Sequence, residues 1–172
     1  MKIIDKNYKG LIDKGWEYEI KGDVIINGSV EINLDNDLHI TGSFKSAGNI
    51  NMLKYSLRVN KDIEALAINV FGKLESLKSI KSETYIKTGG GIKAGERIEA
   101  GWSISSFGDI KAINYIKAKS FILSGGEIEV IAGHISANKI LALREVNASD
   151  YIKVVSGLLL TEKVNHKQLI NY

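Results

Sequence analysis

A branched aliphatic residue recurs at every sixth position over most of this chain, and that rhythm constrains the fold more than any other feature. Stepping by six from Ile68 meets Leu74, Ile80, Ile86, Ile92, Ile98, Ile104, Ile110, Ile116, Ile122 and Ile128, then His134, Ile140, Val146, Ile152, Leu158, Val164 and Ile170. Of these 18 positions only His134 is not aliphatic. A second column, two residues later, is small: Ala94, Ala100, Ser106, Ala112, Ala118, Ser124, Val130, Ser136, Ala142 and Ala148. Between the two columns stand polar residues such as Lys81, Lys87, Lys93, Glu99, Lys111, Lys117 and Lys153. An α-helix turns through about 600° in six residues and would smear the apolar column around its axis. Short strands separated by tight turns keep both columns inward and the polar residue outward.

The predicted fold is therefore all-β: a single-stranded β-helix, or β-solenoid, with three short strands and about 18 residues per coil. Stacking each rung on its neighbours enforces the register, because a one-residue slip would turn Ile outward and Lys inward. Residues 68–157 form the regular hexad region. Before it, Val24, Val30, Leu38, Phe44, Ile50, Leu57 and Ile63 continue the pattern at uneven spacings, so 23–67 is expected to hold coils with longer corners, one of them Leu34 to Leu38. Residues 1–22, with Trp16 and Tyr18, are expected to cap the open end of the core, and 158–172 to form a cap or an oligomer contact. With 17 Gly and no Pro, the corners must be made by Gly, Asn, Asp and Ser.

The hexads beginning at Ile110 (Ile110-Lys111-Ala112-Ile113-Asn114-Tyr115), Ile116 and Ile122 resemble the short β-helical repeats of bactofilins, the polymer-forming bacterial cytoskeletal proteins. That resemblance covers about two thirds of the chain and implies end-to-end filaments formed without nucleotide; the irregular N-terminal third departs from it. Hexapeptide-repeat acyltransferases place their small residue two before the aliphatic one, whereas here it falls two after.

Composition narrows the function classes. The balance of 23 Lys and Arg against 20 Asp and Glu gives a net charge of +3, which does not point to nucleic acid, so any such partner must be recognised locally. The absence of Cys removes disulfides, thiolate catalysis and cysteine-ligated zinc, and fits a reducing compartment, so a cytoplasmic location is expected. Neither a signal peptide nor a membrane span is legible.

Several residues break the pattern and are weighed as sites. His134 is either a buried imidazole in the core column or, with Ile135 sliding into the core through a one-residue bulge, a corner residue; the bulge is the expected arrangement. Gly89-Gly90-Gly91 looks like a phosphate loop but lacks a helix behind it, and is expected to be a wide corner. Asp35, Asn36 and Asp37 are expected to be turn residues rather than a Ca²⁺ site. No cofactor or metal site is assigned, and no acid, base and nucleophile converge on a catalytic site. Aromatic residues at turn or outward phases form the candidate binding set: Tyr85, Trp102, Phe107, Tyr115, Phe121 and Tyr151. With 18 residues per coil, Tyr85 lies one coil before Ser103 and two before Phe121, and Tyr115 two coils before Tyr151. Lys81, Lys117 and Lys153 share one outward column and join the set as a cationic stripe.

These features together predict a non-enzymatic binding module acting through its surface on a protein, or on a protein–nucleic acid complex. An Ile-, Lys- and Asn-rich, cysteine-free solenoid suits a phage or mobile element, so an anti-defence inhibitor of the anti-CRISPR kind is the concrete form of that expectation. A bactofilin-like polymer and a hexapeptide-type acyltransferase are the alternatives, and a second copy of the chain is a further candidate partner.

Overall fold

The computed structural model describes residues 1–166 and 168–171. Among them it contains no helix and 26 strands, most of three or four residues, wound into a β-solenoid of about 8 turns with roughly 18 residues per turn. Each coil contributes one strand to each of three flanks. Starting at Val24, the first flank stacks Val24–Ile26, Phe44–Ser46, Ile63–Ala65, Ile80–Ser82, Arg97–Ala100 and Tyr115–Ala118. The second stacks Lys2–Ile4, Val30–Ile32, Ile50–Met52, Ile68–Val70, Tyr85–Thr88, Ser103–Ser106 and Phe121–Ser124. The third runs from Tyr18–Ile20 through Leu38–Ile40, Leu57–Val59, Leu74–Ser76, Ile92–Ala94, Ile110–Ala112 and Ile128–Val130 to Glu145–Ala148 and Lys163–Asn165. The long strands His134–Ala142 and Tyr151–Leu160 serve the first flank with their beginnings and the second with their ends.

The hexad rhythm is visible directly in the ladder. Ile68 lies opposite Ile86, Ile86 opposite Ile104 and Ile104 opposite Ile122, so identical β-branched side chains stack along the axis. All of these are fully buried, and the small column (Ala94, Ala100, Ala112, Ala118, Ala142, Ala148) is buried beside them at the corners. The uneven N-terminal series obeys the same rule: Val24, Val30, Leu38, Phe44, Ile50, Leu57 and Ile63 all begin strands and are all buried. Longer corners absorb the extra residues, so that Val24 pairs with Phe44 and Leu38 with Leu57.

Serine in the small column adds a polar clasp. Ser124 Oγ lies 2.9 Å from the carbonyl of Gly108 one coil below and 3.0 Å from that of Glu127, and it accepts the Gly126 amide at 3.1 Å. Ser82 and Ser106 repeat the arrangement at other corners, so buried hydroxyls satisfy backbone groups that a turn would otherwise leave unpaired. Asp109 does the same from outside, accepting the amide of Glu127 at 2.9 Å and the Arg144 guanidinium at 2.7 Å. These bonds, the amide foremost, hold its carboxyl below the usual aspartate value.

The strict six-step register fails in three places. Around residue 131 the chain inserts one residue, so Ile135 pairs with Ile116 and is fully buried while His134 sits beside Tyr115 at the rim. Ala137 takes the small inward position predicted for Ser136, which faces outward. The extra residue is offset between Ser136 and Lys139, where the corner is one residue shorter than in the coil below, restoring Ile140 to the core. Farther on, Leu159 rather than Leu158 pairs with Ile140, and Leu169 rather than Ile170 with Ile152. These one-residue offsets, of opposite sense, displace Leu158 and Ile170 from the series, while Val164 stays on it opposite Val146.

At the N-terminal end, Leu11–Asp13 pairs antiparallel with Tyr18–Ile20, and Tyr8 and Leu11 pack against the core. Tyr18 is buried there, whereas Trp16 is exposed. Tyr18–Ile20 and Lys2–Ile4 are themselves coil strands, so winding begins inside the segment expected to be a cap. Positions 167 and 172 of the predicted C-terminal segment lie outside the described residues.

Candidate functional site

The three flanks differ in what they present to solvent. On the first, the outward column reads Lys45, Glu64, Lys81, Glu99, Lys117, Ser136, Lys153. The sequence predicts a cationic stripe from Lys81, Lys117 and Lys153, interrupted by Glu99 and Ile135. Instead the column alternates sign up to Lys117, and Ser136 is the residue between Lys117 and Lys153. Opposite charges on adjacent rungs compensate one another, as in the Lys45–Glu64 pair at 3.3 Å. The third flank is similarly internal: Lys111 reaches Glu129 at 3.1 Å and Glu127 at 3.2 Å, and Arg58 reaches Glu17 at 2.9 Å.

The rim of the first flank carries a stack in which His134 fills the gap between Tyr115 and Tyr151, the pair that the 18-residue step aligns. Tyr115 and His134 have ring centroids 5.4 Å apart with an interplanar angle of 13°, and His134 and Tyr151 are 4.6 Å apart at 6°. The inserted residue near 131 is what brings His134 into line between the two tyrosines. Burial in the stack, together with the nearby Lys117 ammonium, lowers the His134 pKa against the opposing pull of Asp150. The Tyr115 hydroxyl lies 3.3 Å from Glu99, and its pKa is raised by burial and by that carboxylate.

The second flank is different in kind. Its corner with the third flank carries the column Phe71, Gly89, Phe107, Gly125, Leu143. A Cβ on Gly89 or Gly125 would collide with the carbonyl oxygen of Phe71 or Phe107 one coil below, so glycine is required at those rungs. Large side chains and notches therefore alternate along this ridge, and Phe71, Phe107 and Leu143 are 69%, 78% and 62% exposed. The opposite edge carries Tyr85, Ser103 and Phe121, again a ring, a gap and a ring. Between the ridges the floor passes from Asn69, Lys87 and Ser105 to Leu123. Phe107, Gly125 and Leu143 of the ridge, the opposite edge and this floor line a cavity of about 740 Å³, open to solvent and predominantly apolar.

Of the predicted site residues, this groove brings together Tyr85, Phe107 and Phe121. Trp102 is exposed on the neighbouring corner, its amide held by the Thr84 carbonyl at 2.7 Å. Tyr115 and Tyr151 belong to the stack with His134, and the three lysines to the alternating ladder. Lys87, Leu123 and Leu143 are groove residues that sequence reasoning missed, although the alternation of Phe71, Gly89, Phe107 and Gly125 at a step of one coil is legible in hindsight. Gly89 to Gly91 form a corner between the second and third flanks. Asp35 is engaged by Lys6 at 2.7 Å and by the Tyr18 hydroxyl at 2.8 Å, while Asp37 accepts the Ser56 amide at 2.8 Å.

Chemically, the groove lining offers one amine, one phenol, one carboxamide and several hydroxyls, without a carboxylate or imidazole. Such a surface binds and orients apolar groups. Among the described residues no group of three or more His, Asp or Glu is placed to hold a metal ion. No described helix is long and apolar enough to cross a membrane. No family model matches the chain, nor does any curated protein or solved structure.

Proposed function

We propose that this protein is a binding module whose second flank receives a segment of another protein. The observation that carries the reading is the groove between the Tyr85–Phe121 edge and the Phe107–Leu143 ridge, where large apolar side chains stand exposed on a rigid ladder. Exposed aromatic side chains in a contiguous patch are what a docking surface requires, and a parallel ladder lowers the entropy lost on ordering them. The antiparallel pair at the N-terminal end, with Tyr8 and Leu11 against the core, covers the face on which a filament partner would stack, and so favours a module over a polymer.

The test uses photocrosslinking amino acids placed singly at Ser105 on the second flank, Glu99 on the first and Lys93 on the third, in the native host. The reading predicts one discrete protein adduct from Ser105 and none from the other two. Equal adducts from all three flanks, or none from Ser105, would contradict it. A host defence nuclease is the partner that the anti-defence proposal would find in that adduct.

A further inference from the structure

The charge on the second flank defines the partner more closely. From Tyr85 onward its strands read Tyr-Ile-Lys-Thr, Ser-Ile-Ser-Ser, Phe-Ile-Leu-Ser, Lys-Ile-Leu-Ala over 139–142, and three leucines over 158–160. Lys87 and Lys139 are the charged groups of these strands, and no carboxylate accompanies them. Both are exposed, and among the described residues neither forms an ion pair, whereas Lys45 and Lys111 on the other flanks are paired with carboxylates and Lys81 lies between Glu64 and Glu99. Lys87 closes the polar end of the groove and Lys139 stands one rung beyond Phe121. The two are three rungs apart, or about 14 Å along the axis.

Building on the docking reading above, we infer that the second flank takes an apolar protein segment bearing Asp or Glu at its flanks, whose carboxylates meet Lys87 and Lys139. Large side chains of the segment enter the two gaps, one over Ser103 between Tyr85 and Phe121, the other over Gly125 between Phe107 and Leu143. A second copy of this chain fits less well. Two such flanks laid face to face would bring lysines together without an acid on either side, and juxtaposed like charges disfavour association.

Short random peptides displayed on phage are selected against the full chain. Binders are then measured by fluorescence polarisation against the parent, Leu123→Lys, Lys87→Glu and Lys139→Glu, each confirmed folded by circular dichroism. Enriched peptides should combine bulky apolar residues with net negative charge. Lys87→Glu should weaken them about tenfold, and exchanging the peptide's acid for Lys should restore binding to that variant. Neutral or basic peptides, or indifference to both charge reversals, would overturn the acidic-segment inference while leaving the groove in place. Indifference to Leu123→Lys would overturn the docking reading itself. A dimer in sedimentation equilibrium that Leu123→Lys dissociates would replace the partner with a second copy, and tighter groove binding by an oligonucleotide would replace it with nucleic acid.

Discussion

The first and second flanks are built from the same inward residues and diverge outward. Ile98 and Ile104 are both fully buried, six residues apart, and their ladders carry the same parallel bonds. Yet one flank alternates its charges rung by rung from Lys45 to Lys117, while the other leaves aromatic rings exposed and two lysines without an ion pair. A solenoid separates these tasks cleanly, because the inward columns specify the coil and the outward ones are free to vary. Stability should thus be shared among the flanks and binding confined to one.

The strongest challenge to that division is an inward substitution. Ile98→Ala, Ile104→Ala and Ile110→Ala, one on each flank, should each cost about 2–5 kcal/mol in chemical denaturation, with no flank spared. A flank that tolerated its substitution would not share the common core. Ser124→Ala should cost about 1–3 kcal/mol, since the Gly126 amide loses its buried acceptor. On the first flank, Glu99→Lys would place like charges at three successive rungs, Lys81, 99 and Lys117, and should destabilise by about 0.2–1 kcal/mol. Leu123→Lys on the second should stay within about 0.5 kcal/mol of the parent, because that side chain faces outward and is partly exposed.

His134 sharpens the comparison through pH. Its folded pKa lies below its unfolded value, so the unfolded chain binds the proton first as pH falls below about 6.5. Stability is therefore fully present above that value and is lost down to the folded pKa. His134→Tyr continues the ring stack without a titrating group, and its thermal midpoint should fall less steeply than the parent's between neutral pH and the onset of carboxylate protonation. Equal slopes would show that the stack does not hold the imidazole neutral.

Much of this architecture is legible in the residues because inward positions obey one simple period. From Ile68 to Ile128 every expected core residue is buried, and the bulge expected at His134 is where Ile135 enters the core. Beyond it, fixed six-residue counting still finds Ile140, Val146 and Ile152 in the core but misplaces some of their neighbours. Counting by six places Ser136 inward and Leu158 and Ile170 in the column because it carries no knowledge of the corners that gain or lose one residue. The site was harder to see. Tyr85 and Phe121 follow from an 18-residue step, but grouping them with Phe107 requires knowing which corner each strand leads into. Glu99 interrupts the lysine column as the sequence shows, and Glu64 extends that alternation below Lys81.

The most direct test of the account is a map of amide chemical shifts in the ¹⁵N-labelled protein titrated with a selected peptide. The account predicts that the perturbed amides cluster at 85–89, 103–107, 121–125 and 139–143, with 97–100 and 115–118 unmoved. A cluster on those first-flank strands, or shifts spread evenly around the coil, would contradict it.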